Sequence, residues 1–221
     1  VERQIITTAD GSKTIFIPEW NEHYHSSHGA LQEAQHVFIR HGLNCFTSDY
    51  LTILEMGFGT GLNALLTYFS SEKRNQYVHY IGIEAFPPSA EELAAMDYAS
   101  FASDPETTGV YEHLHTAPWG TSHPISEHFV LEKQQCSLEQ ANVEPGTVDL
   151  VYFDAFGPRV QPELWTAEIF SRIFDWMAPG GIFVTYCAKG QVKRDLKTAG
   201  FLVESLPGPP GKREMTRAVK P

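Results

Sequence analysis

Cysteine is scarce in this 221-residue chain: Cys45, Cys136 and Cys187 stand apart, with no C-x-x-C pair among them. That argues against a disulfide framework and a zinc site, and it points to a reducing, cytoplasmic setting. No apolar run approaches the roughly 20 residues that a bilayer-spanning helix requires, so no membrane segment is expected. Internal repeats and low-complexity tracts are also missing. The first residues, Val1-Glu2-Arg3-Gln4, lack both a signal-peptide pattern and an initiator methionine, so a trimmed start is expected. Basic residues are few, 16 Lys and Arg against 27 Asp and Glu, for a formal net charge of −11. Such a balance disfavours nucleic acid as a partner, yet the shortage is uneven. Half of all the cations (Lys189, Lys193, Arg194, Lys197, Lys212, Arg213, Arg217 and Lys220) fall within residues 189–221, where only Asp195, Glu204 and Glu214 oppose them. Two readings of that segment stand side by side: a solvated helix face with a basic tail, or a phosphate-facing patch on an acidic body.

What is present suits a single globular domain with 42% hydrophobic residues. Gln4–Thr8 and Thr14–Ile17 alternate around Asp10-Gly11 and predict a β-hairpin. Leu31–Ile39 predicts a helix, and residues 1–45 together form an extension packed on a core of residues 46–221. Within the core, Leu51–Met56, Val78–Ile83, Phe129–Leu131, Val148–Phe153 and Ile182–Tyr186 predict strands. Helices are predicted at Leu62–Phe69, from Pro87-Pro88-Ser89 to Met96, at Glu163–Met177 and at Val192–Thr198. Pro179-Gly180-Gly181 predicts the turn into the Ile182 strand, and Phe201–Leu206 with Glu214–Val219 predict a closing antiparallel pair. Residues 98–127 read as an irregular insertion, with His113 and His115 as ordinary surface residues. The alternation implies an α/β fold with a mainly parallel sheet covered on both faces. Ligands of such sheets bind beyond the carboxyl ends of the strands.

The chemistry-bearing residues stand at those ends. Glu55-Met56-Gly57-Phe58-Gly59-Thr60-Gly61-Leu62-Asn63 closes the first core strand. Glycines there let backbone approach a ligand that a Cβ would exclude. Nicotinamide dinucleotide sites space their glycines as G-x-G-x-x-G, whereas Gly57, Gly59 and Gly61 occupy every second position. This acid-then-glycine pattern resembles the first motif of class I S-adenosylmethionine-dependent methyltransferases. Glu84 closes the second strand, where a carboxylate accepts hydrogen bonds from ribose hydroxyls. An adenine-contacting acid is missing from its usual place after the third strand, and Gln135 or Glu132 is left to fill it. Asp154-Ala155-Phe156-Gly157-Pro158 closes the fourth strand and puts a carboxylate beside an aromatic ring. A fixed carboxylate of this kind suits amine methylation, because it holds the amine by its N–H and favours the forming ammonium. His23, His25 and His28 have neither helical spacing nor partnering cysteines, so no metal is expected.

Further motifs follow in one order: Tyr24-His25-Ser26, Glu33, His36-Val37-Phe38, Gln161-Pro162-Glu163-Leu164-Trp165, Pro179-Gly180-Gly181, Val192-Lys193-Arg194 and Lys212-Arg213-Glu214-Met215. With Gly57–Asn63 and Asp154–Pro158 they resemble the methyltransferase half of the MnmC family, the bifunctional tRNA 5-methylaminomethyl-2-thiouridine biosynthesis enzymes, over roughly residues 20–219. The resemblance implies a Rossmann-like methyltransferase fold, S-adenosylmethionine as cofactor and tRNA as partner. The implied reaction is N-methylation of the 5-aminomethyl group of wobble uridine. Asp154 matches the catalytic aspartate. Tyr24, Glu33, Glu55, Gly57, Phe58, Gly59, Thr60, Gly61, Asn63 and Glu84 match the cofactor side. Phe156, Pro158 and Trp165 are expected to frame the flipped base, and Lys193, Arg194, Lys212 and Arg213 to meet the RNA. The chain carries no counterpart of the flavin-dependent oxidase half, so a standalone methyltransferase is expected. The family's glycine- and arginine-rich run before Lys212 is replaced by Pro207-Gly208-Pro209-Pro210-Gly211. Two other functions stay open, methyl transfer to a small-molecule amine and non-catalytic tRNA binding.

Overall fold

The computed structural model describes residues 2–98 and 106–221. Eight strands form one sheet in the order β10-β11-β9-β8-β4-β5-β7-β6. At its centre lie β4 (Tyr50–Met56) and β8 (Val148–Phe153), flanked by β5 (Tyr77–Ile83), β7 (Phe129–Gln134) and β9 (Met177–Thr185). All pairings among these five strands are parallel. The edges are antiparallel: β6 (Ser122–Pro124) on β7, then β11 (Glu214–Val219) on β9 and β10 (Leu202–Pro207) on β11. This is the mostly parallel α/β arrangement expected from the sequence, with the expected closing pair at one edge.

Burial on both faces explains the near-continuous apolar strands. Six of the seven residues of β4 are buried, as are five of the six of β8. Helix α2 (Leu62–Glu72) follows β4, and α5 (Ala167–Trp176) follows β8. In α5 the buried residues Ile169, Phe170, Ile173 and Trp176 recur at helical spacing, and Thr166 caps the helix by accepting from the Ile169 N–H at 3.3 Å. The cap sets the true start, so Glu163 lies outside α5, in a 3₁₀ turn at Pro162–Leu164, and Met177 opens β9 instead of closing the helix. Pro179-Gly180-Gly181 lies within β9, not in a turn ahead of it. Ser89 caps α3 (Ala90–Ala95) through a reciprocal bond with Glu92, so Pro87 and Pro88 precede the helix rather than open it.

The predicted insertion is more regular than its composition suggests. Residues 99–105 lie outside the described part of the chain, but Glu106–Thr116 forms helix α4. Its signal is the apolar set Val110, Tyr111 and Leu114, diluted by Gly109 and three threonines. Leu114 is fully buried. At the N-terminus, β1 (Gln4–Thr7), β2 (Lys13–Ile17) and β3 (Glu22–His23) form a separate antiparallel sheet. Helix α1 (Ala30–Ala34) follows and runs on as a π-helical stretch, Gln35–Arg40. Ile15, Ala30 and Val37 share one buried cluster with Leu51 and Tyr152 of the main sheet and Leu62 of α2.

The chain runs from β4 outward to β5 and β7, then returns to start β8 on the other side of β4 and continues to β9 and β11. The strand order therefore reverses between β4 and β8, where such sheets open a crevice at their carboxyl ends.

Candidate active site

Register decides what meets in that crevice. Met56 pairs with Phe153 on one side and with Ile83 on the other. Gly57 is therefore level with Asp154 and with Glu84. The three strands deliver the glycine loop and two carboxylates to one place, over a cavity of about 620 Å³.

The glycines are there for space. Gly57, Gly59 and Gly61 all have positive φ, at 89°, 48° and 74°. A Cβ on Gly57 would lie 2.8 Å from the Asp154 carbonyl oxygen, and one on Gly61 would lie 2.9 Å from His115 Nε2. Below the loop, the Phe58 ring occupies the space left by Gly82 in β5, where a Cβ would meet it at 2.5 Å. Thr60 is held by three side chains. Tyr111 Oη donates to its carbonyl at 3.0 Å, His115 Nε2 lies 3.0 Å from the same oxygen, and Tyr98 Oη lies 3.0 Å from its Oγ1. His115 is thus no ordinary surface residue. Burial, with the nearby Lys133 charge, lowers its pKa to about 4, so it meets the Thr60 carbonyl as a neutral ring donating Nε2–H.

Glu84 accepts from the Gly59 N–H at 3.0 Å and the Phe86 N–H at 2.9 Å, one on each oxygen. Each carboxylate oxygen retains a lone pair for a further donor. Glu55 is buried in the cavity wall and accepts from Tyr80 Oη at 2.7 Å and Asn63 Nδ2 at 2.8 Å. The same Asn63 nitrogen donates to Asp154 Oδ2 at 2.9 Å. Asn63 Oδ1 is buried without a partner, an acceptor unspent beside a cavity. Burial pushes the Asp154 carboxyl well above the usual carboxylate range, and the neighbouring charge of Glu33 adds to this. The Asn63 bond and the Lys212 charge oppose it. Burial raises Glu55 as well, against its two hydrogen bonds.

Of the residues expected at the site, Tyr24, Glu55, Gly57, Phe58, Gly59, Thr60, Asn63, Glu84, Asp154 and Phe156 line the cavity. Gly61 closes the loop behind it and opens α2. Trp165 is placed differently from the expectation. It is 4% exposed, packed on Phe153 and Phe170, with Nε1 donating to the Phe156 carbonyl at 2.7 Å. Its ring is core, and it supports Phe156 from behind without presenting a face to a base. Pro158 and Glu33 also stand away from the cavity lining. Glu33 is buried, accepts from the Ser26 N–H at 3.1 Å and forms an ion pair with Lys212. Lys212 also lies 4.1 Å over the Tyr186 ring. Lys193 is engaged by Glu214 at 2.9 Å and Ser205 at 2.6 Å. Two of the four cations assigned to RNA are therefore tied into the fold, while Arg194 and Arg213 are exposed.

Several lining residues were not read from the sequence. Arg3 reaches over from the N-terminus, donating to the Phe86 carbonyl at 2.9 Å and pairing with Glu92 at 3.1 Å. Trp20 lines the cavity too. Neither Glu132 nor Gln135 fills the place after the third strand. Ser137, Leu138 and Glu139 line the cavity there, on a short turn whose S-x-x-Q capping box, Ser137 to Gln140, was visible in the sequence. The histidines diverge: His23 packs on Phe16, His25 on Thr14, and His28 against Gly211. Among the described residues no group of three His, Cys, Asp or Glu is placed to hold a metal ion, and no helix is long and apolar enough to cross a membrane.

Residues 128–221 match the family model of S-adenosyl-L-methionine-dependent methyltransferases. The chain is 30% identical over 218 residues to the tRNA 5-methylaminomethyl-2-thiouridine biosynthesis bifunctional protein MnmC of Paraburkholderia xenovorans, covering 91% of this chain and 33% of that protein. It is 32% identical over 219 residues to the protein of the same name in Paracidovorax citrulli, covering 93% and 34%. The chain thus spans about a third of the length of the curated relatives it matches. Among solved structures, MNMC2 from Aquifex aeolicus superposes with a TM-score of 0.76 at 27% identity, over all of this chain and 72% of that one. Spermidine synthase from Thermotoga maritima shares the fold, with a TM-score of 0.55 at 11% identity.

Proposed function

This chain is a relative of the MnmC proteins with the fold of S-adenosyl-L-methionine-dependent methyltransferases, and we propose that it methylates the 5-aminomethyl group of wobble uridine in tRNA. The carrying observation is that Asn63 holds Glu55 and Asp154 on one nitrogen at the floor of a glycine-walled cavity. The cavity fits the cofactor. Gly57 and Gly59 leave its wall without side chains, Glu84 offers spare lone pairs to a ribose, and Asn63 Oδ1 is free to accept.

S-adenosylmethionine supplies the activated methyl group; the chain's own residues manage the acceptor. An amine attacks only as the neutral base. Deprotonating an alkylamine of pKa about 10.4 at neutral pH costs roughly 4–5 kcal/mol, and an amine beside an unsaturated ring starts lower. Asp154 acts on that amine in two ways. As the anion beside a neutral amine it favours the positive charge growing on nitrogen, and its raised pKa then suits it to take the proton that the methylated ammonium gives up. Asn63 fixes which oxygen is presented.

Methyl transfer to a small-molecule amine is the second reading. Its support is that Lys193 and Lys212, half of the cations assigned to RNA, are already engaged by Glu214 and Glu33. The two readings part on one experiment. The chain is incubated with S-adenosylmethionine and tRNA bearing 5-aminomethyl uridine, and the nucleosides are analysed by mass. A gain of one methyl at that nucleoside supports the tRNA reading. Unmodified tRNA, with turnover on a free aminomethyl compound, supports the other.

A further inference from the structure

We propose that Trp20, on the turn joining β2 to β3, is the stacking face for the planar base that carries the amine, and that Arg159 is the positioning residue that sets it. This rests on the tRNA reading above and names the part of the cavity that takes the base.

Glu84, Gly57 and Gly59 line the cavity at the glycine loop; Trp20, Ile17, Gln161 and Glu163 line it too, and Trp20 stands against Phe156 on the loop that carries Asp154. A base presented to Asp154 beside Phe156 meets aromatic rings. Phe156 stands edge-to-face with Trp20 at 5.6 Å and 78°, and with Tyr24 at 5.1 Å and 89°. No pair in this trio is stacked in parallel. Trp165 is sealed in the core, whereas Trp20, like Phe156 and Tyr24, is half-buried and lines the cavity, and Trp20 is the largest of these three rings.

The turn that carries Trp20 is held to the loop that carries Asp154. Asn21 adopts a left-handed φ of 50°, and its N–H donates to the Pro18 carbonyl at 3.1 Å. Arg159 Nη2 donates to the Trp20 carbonyl at 2.7 Å and the Asn21 carbonyl at 3.3 Å, and it pairs with Glu22 at 2.8 Å. Arg159 belongs to the loop that also carries Asp154 and Phe156, and within that loop the Phe156 N–H donates to Gln161 Oε1 at 3.1 Å. Trp20 and Asp154 are thereby set relative to each other across two separate sheets. A flat unsaturated ring with a short alkylamine suits this pair: an aromatic face for the ring and a carboxylate for the nitrogen. Stacking is tolerant of base identity, so Trp20 contributes grip, and the amine contributes selectivity through Asp154.

The test compares wild type, W20A, W20F and R159A in steady-state methylation of tRNA bearing 5-aminomethyl uridine, with S-adenosylmethionine affinity measured separately by calorimetry. Wild-type turnover on this tRNA comes first; its absence defeats the tRNA reading itself, not the assignment of the ring. Given that turnover, W20A is expected to raise KM for tRNA about tenfold or more. W20F restores most of it, and R159A shifts KM in the same direction by less. Cofactor affinity stays within about twofold. The salt dependence of tRNA binding is unchanged, because the ring neutralises no phosphate. An unchanged KM in W20A overturns the proposal, and so does loss of cofactor binding in W20A and W20F together.

Discussion

Asn63 Nδ2 lies 2.9 Å from Asp154 Oδ2, and the same nitrogen reaches Glu55 Oε1 at 2.8 Å. One side-chain amide at the start of α2 thus bridges two carboxylates at the carboxyl ends of two different strands. Asn63→Ala leaves both short of a donor in a buried place, which costs about 2 kcal/mol. For a chain of this size that is a fall of roughly 4–8 °C in Tm, readable by calorimetry. Asn63→Asp is expected to be worse, since it adds a third carboxylate. A Tm within 1 °C of wild type in the alanine variant would show that the bridge carries no weight.

The pH profile of kcat/KM reads Asp154 directly. The anion is the working form and burial raises its pKa, so the acid limb lies above the usual carboxylate range. Lys212 lowers that pKa and Glu33 raises it. Lys212→Met is therefore expected to move the acid limb to higher pH, and Glu33→Gln to lower pH. Shifts in the same direction for both would contradict the assignment.

His25 and His115 are held neutral, each with its pKa lowered by burial to about 4. Between the ordinary histidine value and pH 4 the unfolded chain takes up protons that the fold refuses, so these rings make stability fall as pH falls. Each contributes at most about 1.4 kcal/mol per pH unit over that window. The raised carboxyls of Glu55 and Asp154 act in the opposite sense, so the useful quantity is a difference. Urea midpoints of His115→Gln against wild type, from pH 7 to pH 4, are expected to converge as pH falls. A constant gap would refute the neutral-ring account.

Arg194 and Arg213 are the exposed members of the basic set. Replacing both with alanine is expected to flatten the slope of log Kd for tRNA against log salt by about 2. An unchanged slope would move the phosphate contact away from this edge of the sheet.

The strand set was legible because parallel strands buried on both faces read as apolar runs, and the loops after β4 and β8 carry their chemistry in order. Glu55, Gly57 and Asp154 were singled out that way, and they line the cavity. The errors share a physical cause, that a side chain's destination depends on tertiary packing. Trp165 sits near Asp154 in sequence, yet it turns inward onto Phe153 and gives its N–H to a backbone carbonyl. His115 and α4 were hidden by Gly109 and by polar neighbours around a sparse apolar stripe. Trp20 and Arg3 reach the cavity because the N-terminal sheet folds over it, a contact that no local pattern records.

The central claim is that Asp154 manages the acceptor and leaves cofactor binding to the glycine loop. The most direct measurement pairs calorimetric S-adenosylmethionine affinity with single-turnover methyl transfer to tRNA, for Asp154→Asn beside wild type. The account predicts a cofactor Kd within about threefold of wild type and a transfer rate lower by about 100-fold or more. An equal loss of both, or a transfer rate near that of wild type, would contradict it.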